Sequence, residues 1–217
     1  MTAPAVAVFD LDGTITRSDC TLRFLRRALL HRMPRPGLMT LPIDAVRHRL
    51  RMMPDAVFKQ RVVRALLRGA TRPEVDAISS AILPACLADV KPRAIERIAW
   101  HRKRGHRLIL ASASLDLYAI PIGDALGFET TLSTRTEWRD GRLTGAFDGP
   151  NLKGEAKRGA VAAAVGPGGV ERVYAYSDHV SDLPLLQFAD EGVAIDPHRA
   201  LAHVAAETGL PIELWAD

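Results

Sequence analysis

The chain has 217 residues, of which 47% are apolar and 25% are charged, and its formal net charge is +4. This balance is typical of a globular protein and excludes a disordered or collagen-like chain. The two cysteines, Cys20 and Cys86, have no metal-binding spacing, and no apolar run is long enough to span a bilayer. The sequence therefore predicts a cytoplasmic protein with one domain, or with one domain that carries a second.

The first predicted element is a short buried strand, residues 5–9, in which the apolar residues run without a break. Such a run is typical of a strand that is covered on both faces of a parallel sheet. The run stops at Asp10. We therefore expect this carboxylate at the carboxyl edge of the sheet, where open α/β sheets bind ligands.

The next predicted region is helical and contains no strand. Its predicted helices cover about residues 22–29, 42–53 and 55–67, and a fourth begins after Thr71. Thr71 has the features of an N-cap, and Glu74 completes a capping box. We expect a core domain of residues 1–17 and 90–217, into which a helical cap domain of residues 18–89 is inserted.

Strands and helices alternate in the remainder of the chain. The predicted helices cover residues 92–104, 116–126, 156–165 and 183–188, and the predicted strands cover residues 106–111, 171–176 and 192–195. Residues 132–145 alternate in polarity around Asp140-Gly141, which is a hairpin signal. This order predicts an α/β fold with a doubly wound, mostly parallel sheet.

Two carboxylates follow the first predicted strand in the run Asp10-Leu11-Asp12-Gly13-Thr14. A pair that leaves a strand two residues apart can point into one cleft. One carboxylate can then attack phosphorus and form an aspartyl phosphate, while the other donates and accepts protons. The run predicts Asp10 and Asp12 as catalytic residues.

Three later runs carry groups that suit phosphoryl transfer. At the end of the second strand, the Ser112 hydroxyl and nearby main-chain N–H groups such as that of Ala113 can bind phosphoryl oxygens. A lysine, either Lys153 or Lys157, can neutralise negative charge. After the third strand, Asp178 can bind Mg²⁺ together with Asp10 and the main-chain carbonyl of Asp12, because Mg²⁺ prefers hard oxygen ligands. We expect Asp182 behind the metal ligands, acting on them indirectly.

Together these four runs resemble the motifs of the haloacid dehalogenase superfamily of phosphatases, and the helical insertion resembles the cap of its phosphoserine phosphatase-like branch. The resemblance covers residues 5–197. It implies that Asp10 is the nucleophile, Asp12 the general acid and base, Ser112 a phosphate ligand and Asp178 a metal ligand. Counting from residues 141–145 places the family's lysine at Lys157, with Lys153 as the alternative.

The resemblance also implies a substrate-binding role for Asp19 and Arg61 in the insertion, but the chain departs from phosphoserine phosphatases nearby. Ala113 and Ser114 replace two glycines, and serines stand at positions 177 and 181 in the last motif. These departures leave the phosphoryl chemistry intact and make serine phosphate a less certain substrate.

A second resemblance, to type C phosphatidylglycerophosphatases, rests on residues 41–43, 176–178 and 183–186. The insertion is also basic, with fourteen Lys and Arg and six Asp and Glu between residues 17 and 89, a net charge of +8. Cationic surfaces favour anionic partners, which include phosphate esters and lipid head groups.

The sequence thus predicts a Mg²⁺-dependent phosphatase that acts on a small anionic phosphate ester. A phosphatase of lipid head groups at a membrane surface and an inactive regulatory module on the same fold are the alternatives, and transfer to an acceptor other than water stays open. We expect no nucleic-acid partner, because the basic insertion lacks interleaved aromatic residues. The oligomeric state is not predicted.

Overall fold

The computed structural model describes residues 5–31, 41–166 and 170–216. Residues 1–4, 32–40, 167–169 and 217, which belong to the two expected domains, lie outside this description. The strands are β1 (Val6–Phe9), β2 (Arg107–Leu115), β3 (Thr130–Thr134), β4 (Thr136–Arg139), β5 (Arg142–Phe147), β6 (Val173–Ser177), β7 (Glu191–Ile195) and β8 (Ile212–Glu213). The helices are α1 (Cys20–His31), α2 (Leu41–Arg49), α3 (Asp55–Leu67), α4 (Arg72–Ala88), α5 (Pro92–Lys103), α6 (Asp116–Leu126), α7 (Glu155–Val165), α8 (Leu183–Phe188) and α9 (Arg199–Thr208).

The main sheet has six strands in the order β3-β2-β1-β6-β7-β8, and every neighbouring pair is parallel. Strand β1 lies between β2 and β6, with Phe9 opposite Leu110 on one side and Tyr176 on the other. All the residues of β1 are buried, as its uninterrupted apolar run predicts. The predicted α/β class with a doubly wound parallel sheet is confirmed.

The two faces of the sheet carry separate hydrophobic cores. Ala7 and Phe9 of β1 belong to one core, whereas Val6 and Val8 belong to the other. This division follows from the alternation of side chains along a strand. Because both faces are covered, the sheet leaves its carboxyl edge as the place where polar side chains gather.

Helices α1–α4 occupy the interval between β1 and α5, and no strand is present among the described residues of this interval. Helix α4 begins as predicted, because the Thr71 main-chain N–H donates to the Glu74 carboxylate at 2.7 Å in a capping box. The insertion meets the β4–β5 hairpin through main-chain hydrogen bonds from Gly69 N–H to the carbonyl of Leu143 and from Leu143 N–H to the carbonyl of Ala70. Asp140 and Gly141 form the tip of this hairpin, in agreement with the turn signal.

Three elements were not predicted. Strand β3 adds to the edge of the main sheet, although the alternation of residues 132–145 predicts that its second half belongs to the hairpin. Helix α9 and the two-residue strand β8 were also missed, and β8 is too short to give a sequence pattern. Trp215 near the end of the chain is buried, and its ring lies 5.6 Å from that of Tyr176 in the sheet core.

Candidate active site

Polar side chains converge on the carboxyl edge of the sheet, where β1, β2 and β6 lie side by side. Asp10 directly follows β1, Ser112 lies on β2, and Asp178 directly follows β6. The three residues are buried and border one cavity of about 620 Å³. The cavity is lined by residues from all four motifs and from the insertion: Asp10, Asp12, Gly13, Arg17, Asp19, Thr21, His48, Asp55, Phe58, Lys59, Ser112, Ala113, Ser114, Asn151, Lys153, Lys157, Asp178, His179, Ser181, Asp182 and His198.

Lys157, in the first turns of α7, is the lysine that contacts the predicted nucleophile. Its Nζ lies 2.7 Å from Asp10 Oδ1 and 2.5 Å from Asp182 Oδ2, and all three side chains are buried. Burial disfavours the ammonium, yet the pKa of Lys157 is raised because the two carboxylates lie against it. Lys153 instead pairs with Asp55 of α3 at 2.8 Å near the surface.

Asp12 is held by two donors from different parts of the chain. The main-chain N–H of Cys20 donates to Oδ1 at 2.7 Å, and the Ser114 hydroxyl donates to Oδ2 at 2.5 Å. Burial raises the pKa of Asp12 despite these hydrogen bonds, and Asp19 raises it further. A carboxyl group in this state can carry a proton into the cavity.

Gly13 allows the carboxylate of Asp178 to approach the loop after β1. The φ angle of Gly13 is +84°, and a Cβ on this residue would lie 2.2 Å from Asp178 Oδ2. Thr14 donates its hydroxyl to Asp178 Oδ1 at 3.2 Å, and His198 Nε2 lies 3.2 Å from Oδ2. The position of Asp178 therefore depends on a residue without a side chain at position 13.

The loop is fixed from behind by Lys91, a buried residue before α5. Its Nζ donates to the main-chain carbonyl of Gly13 and pairs with Asp196 Oδ2 at 2.8 Å. This pair ties the loop after β1 to the segment after β7. No sequence pattern points to Lys91, because its partners Gly13 and Asp196 are far away along the chain.

Ser112 and Ala113 lie on β2 next to a lysine that reaches in from the insertion. Lys59 of α3 donates to the main-chain carbonyl of Ala113 and, at 3.1 Å, to Asn151 Oδ1. Burial lowers the pKa of Lys59 to about 8. Ser112 is buried, and its Oγ accepts the N–H of Ser114 at 3.1 Å.

The two residues expected to bind the rest of the substrate have different surroundings. Asp19 lines the cavity, and its Oδ1 accepts the main-chain N–H of Thr21 at 2.7 Å. Arg61 is not among the lining residues, and its guanidinium contacts Asp44 of α2 at 2.6 Å. Lys59, two residues before Arg61 on α3, is a cation of the insertion that does line the cavity, and sequence reasoning missed it.

The serines at the departures from the phosphoserine phosphatase motifs have structural partners. Ser114 orients Asp12, as described above. Ser177 donates its hydroxyl to Asp182 Oδ2 at 2.7 Å, and the Ser181 hydroxyl lies 2.8 Å from His179 Nδ1. The hydroxyl groups of Ser114 and Ser177 thus support acidic side chains of the site, whereas that of Ser181 contacts a histidine.

The site carries an excess of buried negative charge. Asp10 and Asp182 contact Lys157, and Asp178 acts electrostatically on Asp10, so three carboxyl groups lie around one ammonium. The pKa of Asp10 is raised to about 7, chiefly by burial. Lys157 opposes this rise, and the negative charges of Asp182 and Asp178 add to it. Burial also raises the pKa of Asp178. A divalent cation would compensate these charges, and carboxylate oxygens are the type of ligand that such a cation prefers.

One carboxylate oxygen of Asp182 lacks a hydrogen-bond partner in the part of the chain that the structure describes. Asp182 Oδ1 is buried and has no hydrogen-bond partner among the described residues, which is costly unless a water molecule or an ion completes it. No group of three or more His, Cys, Asp or Glu side chains forms a metal cage in the described parts of the chain. The expected ligand set is a different one, with two carboxylates and a main-chain carbonyl.

Within the described residues, none of the helices combines the length and the apolar character that are needed to cross a bilayer.

Comparisons with known proteins agree with this geometry. The model of the haloacid dehalogenase-like hydrolase family matches residues 7–187, and the chain belongs to this family. Protein CicA of Caulobacter vibrioides is 30% identical over 199 residues, which cover 87% of this chain and 84% of CicA. A probable phosphatase of Mycobacterium tuberculosis is 30% identical over 230 residues, which cover 97% of this chain and 75% of that protein.

A crystal structure of a probable phosphoserine phosphatase from Vibrio cholerae shares the fold, with a TM-score of 0.74 at 18% identity. The match covers 98% of this chain and 61% of that structure. The expected membership of the haloacid dehalogenase superfamily is confirmed by the family match, and the fold is shared with this probable phosphoserine phosphatase. The chain is a phosphatase of the haloacid dehalogenase-like family.

Proposed function

We propose that this phosphatase hydrolyses a small phosphomonoester by transferring its phosphoryl group to Asp10, with Mg²⁺ as the cofactor. The observation that carries the proposal is the buried contact of 2.7 Å between Lys157 Nζ and Asp10 Oδ1 at the carboxyl edge of the sheet. The ammonium opposes the rise in pKa that burial gives Asp10 and so favours the ionised form that a nucleophile needs, and it can also attract the phosphate dianion.

In the first step, a carboxylate oxygen of Asp10 attacks phosphorus in line, and the bond from phosphorus to the leaving oxygen breaks. Asp12 donates its proton to that oxygen, a role supported by its raised pKa. In the second step, Asp12 takes a proton from water, and the resulting hydroxide displaces Asp10 from phosphorus. The two donors on Asp12, Cys20 N–H and Ser114 Oγ–H, orient its carboxyl group for both transfers.

Asp10, Asp178 and the main-chain carbonyl of Asp12 are the proposed ligands of Mg²⁺. When bound, the ion would neutralise charge on the phosphoryl oxygens and on the clustered carboxylates. Asp182 is proposed to act through its neighbours, since it contacts Lys157 and its Oδ1 lacks a partner. The Ser112 hydroxyl and the Ala113 N–H are the proposed ligands of the remaining phosphoryl oxygens.

Helices α1–α4, residues 18–89, are the proposed cap over a core of residues 1–17 and 90–217. The contribution of Lys59, Asp19 and Phe58 to the cavity supports this division, because these side chains lie beside the motif residues. A cationic Lys59 favours a leaving group that carries its own negative charge. Phosphoserine and related acidic metabolites have such a leaving group. Arg61 is not proposed to bind it, because Arg61 pairs with Asp44 outside the cavity.

The proposal is tested by measuring phosphate release from a panel of phosphomonoesters, with and without Mg²⁺, for the wild type and Asp10→Asn. We expect Mg²⁺-dependent turnover that Asp10→Asn abolishes. The matched control is Asp55→Asn, because Asp55 also lines the cavity but pairs with Lys153 instead of Lys157. Equal turnover by the wild type and Asp10→Asn would disprove the proposal.

A further inference from the structure

Helix α2 and the turn that follows it expose large apolar side chains to solvent. Ile43, Val46 and Leu50 are 58%, 57% and 63% exposed. The spacing of three and then four residues puts them on one face of the helix. The N–H of Leu50 donates to the carbonyl of Val46 at 2.9 Å, so the helical turn continues far enough to include Leu50. These residues form an exposed apolar stripe.

The side of α2 that faces the protein is polar. Asp44 is the buried residue of this helix, and it pairs with Arg61 of α3 at 2.6 Å. One turn later, His48 lies 2.8 Å from Asp55 and stacks on Phe58 with ring centroids 4.5 Å apart. A surface helix ordinarily buries its apolar face and exposes its polar one. Helix α2 has the opposite arrangement, which indicates a partner for the apolar face.

The surroundings of the stripe are cationic. At 100° per residue, Arg47 and Arg49 flank the stripe on its two sides, and Arg51 follows the helix; all three are exposed. Between residues 41 and 68 there are seven Lys and Arg against two Asp and Glu, a net charge of +5. We call Ile43, Val46, Leu50, Arg47, Arg49 and Arg51 the α2 surface.

We propose that the α2 surface docks on a bilayer that contains anionic lipids. An aliphatic stripe flanked by arginines suits the boundary between acyl chains and anionic head groups, where the arginine side chains reach the phosphates. A second copy of the chain suits this surface less well. In a symmetric dimer, each cationic patch would face its own counterpart and be repelled by it.

Docking through the α2 surface leaves the cavity close to the bilayer. His48, on the opposite side of α2 from the stripe, lines the cavity together with Asp55 and Phe58. A single helix, α2, therefore separates the proposed membrane interface from the cavity. Membrane docking through the α2 surface is independent of the chemistry at Asp10, so the protein could lack the one and retain the other.

The test is co-sedimentation of the full chain with vesicles made of equal parts of phosphatidylcholine and phosphatidylglycerol, compared with phosphatidylcholine alone. We expect binding to the anionic vesicles that weakens as salt is raised. Each aliphatic side chain contributes roughly fivefold to tenfold to partitioning when about half of it leaves water. Each arginine contributes about fivefold near an anionic surface.

The test variant is the triple substitution Ile43→Gln, Val46→Gln and Leu50→Gln, which keeps helix propensity. The control replaces exposed aliphatic residues on other elements, Ile95→Gln, Ile120→Gln and Leu214→Gln, which are 53%, 42% and 62% exposed. We expect the test variant to lose at least tenfold in vesicle affinity and the control to keep it. Both variants should retain the wild-type thermal unfolding and the turnover of a soluble ester, which shows that they fold.

Three outcomes would overturn the inference. The first is equal binding to the two kinds of vesicle. The second is equal loss of vesicle affinity in the test and control variants. The third is a dimer in light scattering that the test variant dissociates, with no vesicle binding by the wild type, and this result would assign the α2 surface to contact between two copies of the chain.

Discussion

Replacing Lys157 with methionine removes the buried cation between two carboxylates and keeps most of the aliphatic volume. Lys157 Nζ lies 2.7 Å from Asp10 and 2.5 Å from Asp182, and the lysine side chain is 2% exposed. Lys153→Met is the matched control on the same motif. Lys153 is 36% exposed, and it pairs with Asp55, which is 62% exposed.

The expected cost follows from burial. Removing one partner of a buried ion pair costs about 3–5 kcal/mol, because the remaining charge is left uncompensated. Asp10 already has a pKa raised to about 7 and can lose its uncompensated charge by taking up a proton. We therefore expect a destabilisation at the lower end of this range, about 3 kcal/mol. The exposed Lys153 pair contributes about 0–1 kcal/mol. Loss of the charge beside the phosphoryl group should also lower kcat by about 10²–10³-fold.

The assay is urea unfolding without divalent ions, together with steady-state phosphate release in Mg²⁺. In Lys157→Met, loss of the ammonium raises the pKa of Asp10 further above about 7, so that protonation of Asp10 favours the folded state of the variant more than that of the wild type. The stability deficit should therefore shrink as the pH is lowered from about 9 to about 6. Equal losses of stability and of kcat in Lys157→Met and Lys153→Met would refute the reasoning.

Two other predictions concern the loop after β1 and the cavity wall. Gly13→Ala adds a Cβ that would lie 2.2 Å from Asp178 Oδ2, and we expect about 1–3 kcal/mol of destabilisation and a weaker response of turnover to Mg²⁺. Gly141→Ala has a similar positive φ and no atom within 4 Å, so it should show backbone strain without the Mg²⁺ effect. Lys59→Met should raise KM for esters with an anionic leaving group by on the order of tenfold, with little change in kcat. Arg61→Met should leave KM unchanged, and a larger effect for Arg61→Met would contradict the position assigned to Lys59.

The sequence predicts the parts of the site that depend on strand ends. The apolar run of β1 places Asp10 at the carboxyl edge of the sheet, and the same logic places Asp178 after β6. Ser112 is near this edge too, but β2 continues past it to Leu115, four residues beyond the predicted end of the strand. Strand ends are predictable because a buried strand has a continuous apolar pattern. Strand β3 lacks that pattern and was missed, since its threonines owe their place to pairing with β2.

Local sequence patterns do not determine whether Lys59 or Arg61 faces the cavity. The two residues are two positions apart on α3, so their side chains point about 200° apart. Which one faces the cavity depends on how α3 is rotated against the hairpin and α2, and this rotation is set by tertiary contacts. The hydroxyls of Ser114 and Ser177 likewise gain their roles from Asp12 and Asp182, which only the fold brings near.

The central claim, covalent transfer to Asp10, is tested most directly by a burst experiment with p-nitrophenyl phosphate in Asp12→Asn. The nitrophenolate group leaves without a proton, so the first step should proceed, while hydrolysis of the aspartyl phosphate should stall without a base. We predict a burst of one nitrophenolate per active site in Asp12→Asn, and no burst when Asp10→Asn is added. A burst that persists without the Asp10 carboxylate would contradict the account.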